Sequence, residues 1–207
     1  WEDNPTVLSG DIGGDDMVDG RGVVTDTVNI VDDNANHVVT LDGTTTPITA
    51  STRLDGFIIT AGQAKGGFPD NIGGGLYCDG TGGMCSPTLT NVIFSGNSAT
   101  GNGGGAMYNN GREGGESSPT LTNATFAGNS SASSNHGGAM YNDGRNGGDS
   151  SPTLTNVMFA GNRAVVSGGA MYNRGSEGGT SSPTLTNVTF SGNLSGYQGG
   201  AIFNGGS

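Results

Sequence analysis

Four carboxylates, Asp11, Asp15, Asp16 and Asp19, crowd one stretch that also holds Gly13, Gly14 and Gly20. Oxygen ligands on a Gly-rich loop suit calcium. Their spacing matches neither an EF-hand nor a Gly-rich nonapeptide repeat. A solvated acidic loop is expected, with calcium the one cofactor this set could hold. Cys78 and Cys85 bracket a short Gly-rich segment. A disulfide closing that loop is expected, which suits an oxidising compartment. Two free thiols are the alternative, and a metal site falls short of four ligands. Asn-x-Ser/Thr sequons occur at Asn123, Asn129, Asn187 and Asn193. All four read first as inward or ladder asparagines closed to a transferase. Glycosylation is the alternative, with Asn129 and Asn193, nearer a loop, better candidates than Asn123 and Asn187. His37 and His136 lie in no recognisable triad or metal motif.

These residues take their meaning from the elements that carry them. One block recurs almost unchanged: Ser-Pro-Thr-Leu-Thr-Asn, then a Phe and an Asn, then Gly-Gly-Ala-(Met/Ile)-(Tyr/Phe)-Asn. Copies start at Ser86, Ser118, Ser151 and Ser182, so the offsets are 32, 33 and 31 residues. A fixed period of this size means a stack of like units. The expected fold is all-β, a right-handed parallel β-helix with 31–33 residues per rung. Two regions are expected: irregular rungs or a cap over 1–53, and the regular repeat over 54–207.

Each rung reads as three short strands. The first is around Pro87-Thr-Leu89, the second is Val92-Ile-Phe94, and the third is Gly104-Gly-Ala-Met-Tyr108. Asn91 sits at the bend between the first two, because Asn tolerates the left-handed backbone. Val92 and Phe94 share a face by period two. Residue 93 and its equivalents alternate between apolar and polar, which places them outside. In the third strand Met or Ile is expected inside, with the aromatics stacked outside. Stacking makes ladders of Asn91, Asn123, Asn156 and Asn187, and of Asn97, Asn129, Asn162 and Asn193. It also makes a column of Phe94, Phe126, Phe159 and Phe190. The Gly-rich loops after the third strand are expected to be solvated, with pairing of Arg112 and Arg145 to stacked acids as the alternative.

Further back, Leu54-Asp-Gly-Phe-Ile-Ile59 aligns with Leu89-Thr-Asn-Val-Ile-Phe94, with Gly56 where Asn91 stands. Gly74-Gly-Leu-Tyr77 aligns with the Gly-Gly-Ala-Met-Tyr strand. Residues 6–8, 28–31, 37–41 and 47–48 read as strands of earlier rungs.

Composition narrows the function. Gly makes up 42 of 207 residues and only 31% are hydrophobic, so one thick core is not expected. The net charge is −11, with a single lysine, Lys65. Nucleic acid binding needs a basic stripe, which this chain lacks. No apolar run approaches the ~18 residues of a membrane helix, so no membrane insertion is expected.

The Phe-x-x-Asn pairs at Phe94/Asn97, Phe126/Asn129, Phe159/Asn162 and Phe190/Asn193 resemble half of the chlamydial polymorphic outer-membrane protein repeat. Gly199-Gly-Ala-Ile202 resembles its other half. The resemblance covers residues 54–204. It implies a right-handed parallel β-helix at the cell surface, in structural or adhesive roles, with no catalytic residues to carry over.

Three functions follow as expectations. The first is an extracellular structural β-solenoid, a surface or filament subunit that associates head to tail through open rung edges. The second is an adhesin holding a host protein or glycan, with Tyr108, Tyr141 and Tyr172 as a sugar-stacking strip. The third, a polysaccharide lyase or hydrolase, needs converging carboxylates. Thr, Asn, Ser and Gly are what recur on the stacked strands, so no enzyme is expected.

Overall fold

The computed structural model describes residues 5–132 and 135–206. Trp1, Asn4 and Ser207 lie outside the described residues. Among those described, the strands fall into parallel sheets of nine, six and five strands, running the length of a β-helix of about five turns. Five coils at about 4.8 Å each make a column about 25 Å tall.

A regular coil runs Thr120–Thr122, Thr125–Ala127, Ser130–Ser131 and Met140–Asp143. Its first two strands belong to one sheet. In later coils they fuse into the eight-residue strands Thr153–Ala160 and Thr184–Ser191. Asn156 and Asn187 sit within them at φ 55° and 53°, so the chain kinks there without leaving the sheet. The side-chain alternation resets at the kink, and Leu, Val and Phe all point inward. Leu121, Ala124 and Phe126 are buried with their counterparts in neighbouring coils.

Two corners turn the chain. The Gly of each Phe-x-Gly-Asn segment takes a left-handed backbone, at φ 59°, 60°, 63° and 61° for Gly96, Gly128, Gly161 and Gly192. At the other corner, a side chain on Gly105 or Gly138 would collide with a backbone oxygen of the next coil at 2.3 or 2.2 Å. This corner moves the third expected strand. It begins at Met107, not Gly104, and runs to Asn110. Because Ala106 lies in the bend, Ala106 and Met107 both enter the core, against the alternation expected from period two.

Like residues stack in register. Phe94, Phe126, Phe159 and Phe190 lie with ring centroids 4.7 to 5.0 Å apart and planes within 7° of parallel. The older coil follows the alignment read from sequence: Leu54 pairs with Leu89, Ile59 with Phe94 and Tyr77 with Tyr108. Gly56 has φ 77° at the Asn91 position.

The N-terminal part differs from expectation in one element. Strands form at Thr6–Ser9 and Val39–Asp42, and Ile48 bridges Cys85. Residues 28–31 are not a strand, since Thr27–Asn29 is a 3-10 turn capped by the Asp26 side chain. This segment runs alongside the column, where Val24 donates to and accepts from Thr60 Oγ1 and also accepts from Ser95 Oγ.

Candidate functional site

The column's chemistry is carried by polar ladders. At the inner corner, Asn129 Oδ1 accepts both the backbone N–H and the Nδ2–H of Asn97, each at 3.0 Å. Asn129 in turn donates its own N–H and Nδ2–H to Asn162 Oδ1, and Nδ2 also donates to Phe94 O. Each of these side chains therefore ties three successive coils. Asn97, Asn129 and Asn162 are fully buried, so every one of these bonds replaces water.

The outer ladder has the opposite sense. Asn123 Nδ2 donates to Asn91 Oδ1, Asn156 to Asn123 and Asn187 to Asn156, with Asp55 accepting from Asn91 at the base. This ladder lies at the surface. That reverses the order of the two pairs as glycan candidates. Asn129 is buried with its amide nitrogen doubly bound, and Asn193 Nδ2 donates to Phe159 O, so a glycan at either displaces structural bonds. The exposed sequons are Asn123 and Asn187.

A third ladder escaped the sequence reading. Asn109, Asn142, Asn173 and Asn204 pass Nδ2–H to Oδ1 up the column at 2.7 Å each. The signal was the Asn that closes every Gly-Gly-Ala-Met-Tyr-Asn block. Cys78 occupies this column one coil below Asn109, and the Cys78–Cys85 disulfide is formed. The Asn–Ser pairs Asn109–Ser117, Asn142–Ser150 and Asn173–Ser181 stand where the cystine stands. Ser117 Oγ donates to Cys78 O, and Ser150 Oγ to Asn109 O. With no amide below it, Asn109 Oδ1 is buried and unpartnered.

On the other face of the third strands the aromatics stack, but not in solvent. Tyr108 and Tyr141 are 1% exposed and Tyr172 is 8%. With Ile72 they form a second core, and Tyr108 and Tyr141 stack at 4.8 Å. A sugar cannot reach them, which overturns the expected stacking strip. His37 and His136 pack against Tyr77 and Tyr172 at the two ends. Burial drives the Tyr77, Tyr108 and Tyr141 hydroxyls well above their ordinary range, so they stay neutral.

Tyr77 donates to Asp79 and Tyr108 to Asp143, while the Tyr141 hydroxyl meets Arg174. All three partners lie in the next column, which reads Asp42, Asp79, Asn110, Asp143, Arg174. Like charges one rung apart repel. Asn110 separates two of them, donating to Asp79 Oδ1 and to the Tyr77 hydroxyl. Asp143 has a side chain with no exposure. It accepts from the Tyr108 hydroxyl at 2.7 Å and from Arg145 Nε and Nη2 at 2.8 and 2.7 Å. Arg145 is thus held in a buried bidentate pair, not solvated as its loop was expected to be. Arg112 lies 3.5 Å from Glu113 at the surface. Burial pushes the Asp143 carboxyl up, but the bonds from Arg145 and Tyr108 outweigh it and hold it below 3.8.

At the N-terminal loop, Asp11, Asp15 and Asp16 each bring one oxygen within 4.8 Å of the others. Asp11 caps the turn by accepting from the Gly14, Asp15 and Asp16 amides. Asp16 accepts from Val31 N–H and Asn34 Nδ2. Asp19 is turned to Arg21 at 3.0 Å. A calcium ion here would meet Asp11, Asp15 and Asp16 and not Asp19. Nearby, a groove of 380 Å³ runs between Arg21 and the outer ladder, lined also by Ile58, Ile93, Asn123 and Thr125.

Two outcomes follow. The double variant C78N/C85S extends the third ladder downward and satisfies Asn109 Oδ1, whereas C78A/C85A leaves it orphaned. The first should unfold in urea with about 1–3 kcal/mol more stability than the second. Equal midpoints would show that this column carries no energy. Because the Asp143 carboxyl is depressed, its contribution is complete above its unfolded value near 3.8 and is lost as pH falls through its folded value. The urea midpoint of the native chain should drop below about pH 4 more steeply than that of Asp143→Asn. Parallel profiles would remove Asp143 from the acid transition.

No curated protein and no solved structure matches the chain. Residues 187–205, which span the last Phe-x-x-Asn and Gly-Gly-Ala-Ile segments, match the Chlamydia polymorphic membrane protein (Chlamydia_PMP) repeat. The protein is a parallel β-helix that carries this repeat in its last described coil.

Proposed function

We propose that this chain is a structural segment of an extracellular, surface-exposed β-solenoid, which lengthens by coil stacking through open rung edges. The observation that carries the reading is the near-identity of the coils. Each repeats the same buried Asn, Phe, Tyr and Ser columns, so what one coil does for its neighbour every coil does. The polymorphic membrane protein repeat at 187–205 supports a surface location. Antibody raised against the folded chain should label intact producing cells, and label should vanish after mild external protease. Label only after lysis would sink the surface reading.

A second reading, a glycan-binding module, is favoured by the groove between Arg21 and the outer ladder. Arg21, Asn91, Asn123 and Thr125 offer polar groups over an apolar floor of Ile58 and Ile93, a lining suited to a hydroxylated ligand. Glycan-array binding lost in Arg21→Ala would support it, and an array without hits would remove it.

A further inference from the structure

The outward side of the first strands carries a two-dimensional array of threonine. Leu89, Leu121 and Leu154 are fully buried, so by period two the threonines on either side of each face outward. Parallel register stacks them. Thr88, Thr120, Thr153 and Thr184 form one rank, and a second lies two residues on, at Thr90 and its equivalents. All of them are exposed or half-buried. Among the described residues only Thr88 spends its hydroxyl on the protein, donating to Ala50 O. The other hydroxyls of the array are free for solvent.

Three features set this array apart from the ordinary outer face of a sheet. It is uncharged: in a chain of net charge −11, residues 86–95, 118–127, 151–160 and 182–191 contain no acid and no base. Arg53 and Asp55 hold the same two columns one coil earlier, so the neutral area has a defined border there. It is flat: phenylalanines of the same sheet keep their planes within 7° of parallel from coil to coil, so the strong twist of most sheets is absent. It is stiff: threonine is β-branched and restricted at χ1, so the strand holds its hydroxyl and methyl in place.

The spacing of the array is that of ordered water. Coils in this sheet rise by 4.7 to 5.0 Å, the separation of the stacked Phe rings. The two ranks stand about 6.6 Å apart along each strand. Water molecules joined tetrahedrally at about 2.75 Å build a lattice that repeats at about 4.5 Å in one direction and about 7.3 Å in the perpendicular one. The array meets both repeats to within about 0.7 Å, along two axes at once.

We propose that this face binds ice. The threonine hydroxyls take oxygen positions at the crystal surface, and the methyls, which offer no competing hydrogen bond, leave the waters between them to bond to one another. Neutrality suits that partner, since an ice surface has no fixed charge to pair with an acid or a base. A crystalline polysaccharide is also flat and periodic. Sugar rings are held by exposed aromatics, however, and the aromatics of these strands point into the core. Ice binding adds an activity to the surface solenoid, and its test needs no cellular location.

The experiment follows the purified, fluorescently labelled chain while a film of its solution freezes slowly. The native chain should enter the growing ice and hold the freezing point below the melting point of the crystal. The double variant Thr122→Tyr/Thr155→Tyr, in the middle of the second rank, should lose most of both effects. Its thermal unfolding midpoint should change little, because tyrosine is favoured on strands. Arg163→Tyr, on another sheet, should keep both effects. Should the double variant fail to fold, Thr120→Tyr and Thr153→Tyr on the first rank, read singly, decide in its place. A native chain excluded from ice, with no gap between freezing and melting, overturns the proposal. So does a folded tyrosine variant as active as the native chain. Retention on microcrystalline cellulose or chitin without entry into ice overturns it as well, in favour of a carbohydrate surface.

Discussion

The structure depends on one constraint: each coil must lie on the next in register, and the buried amide of the inner corner enforces it. Asn129 holds backbone and side-chain groups of Asn97, Phe94 and Asn162 at once. A slip of one residue would leave several buried polar groups open. Once register is fixed, the other columns follow. Phe stacks on Phe, Tyr on Tyr, and each residue type must tolerate itself as a neighbour about 4.8 Å away. Asn, Phe, Tyr, Ser and Gly tolerate that arrangement. A buried charge does not, which is why the one buried acid of the third face, Asp143, sits between Asn110 and Arg174, while Asp42 and Asp79 stack where water reaches them.

The same constraint accounts for the composition. The core is a narrow column only a few side chains across, so little apolar residue is needed per coil. Glycine is abundant because the corners demand it. One corner requires a left-handed backbone at Gly96 and its equivalents, and another brings Gly105 within contact of the next coil's carbonyls. Most of the charge is left to the loops and to the segment of residues 11–35, which runs alongside the coils without adding one. The cystine at Cys78–Cys85 replaces an Asn–Ser pair, and the ladder above it starts with an orphaned oxygen as a result.

Much of this was legible in the residues. The period gave the coil, and period-two spacing placed Val92 and Phe94 inward. The gapless alignment of Leu54–Ile59 with Leu89–Phe94 located a degenerate coil that the structure stacks in that register. The failures share a cause: sequence spacing does not show how a chain turns at a corner. The bend at Ala106 put Ala and Met on the same side and moved the third strand forward. The Gly128 corner carried Asn129 inward, although a nearby loop had suggested exposure, while Asn123 stayed outside on the kink. The tyrosines do face away from the core of Leu, Val and Phe, as read. Their burial comes from Ile72 and from close stacking up the column, neither of which has a signature in the repeat. The groove beside Arg21 joins it to residues far along the chain, from Ile58 to Thr125, and has no local motif at all.

The central claim is that the inner ladder, more than the exposed one, holds the coils in register. Urea unfolding of Asn129→Ala against Asn123→Gly tests it most directly, since glycine suits the left-handed backbone at 123 and isolates the loss of the outer amide. Asn129→Ala strands the Asn97 donors in the interior and should cost at least about 3 kcal/mol, while Asn123→Gly should cost about 1 kcal/mol or less. Comparable losses in the two variants would contradict the account, and would move register control to the apolar columns.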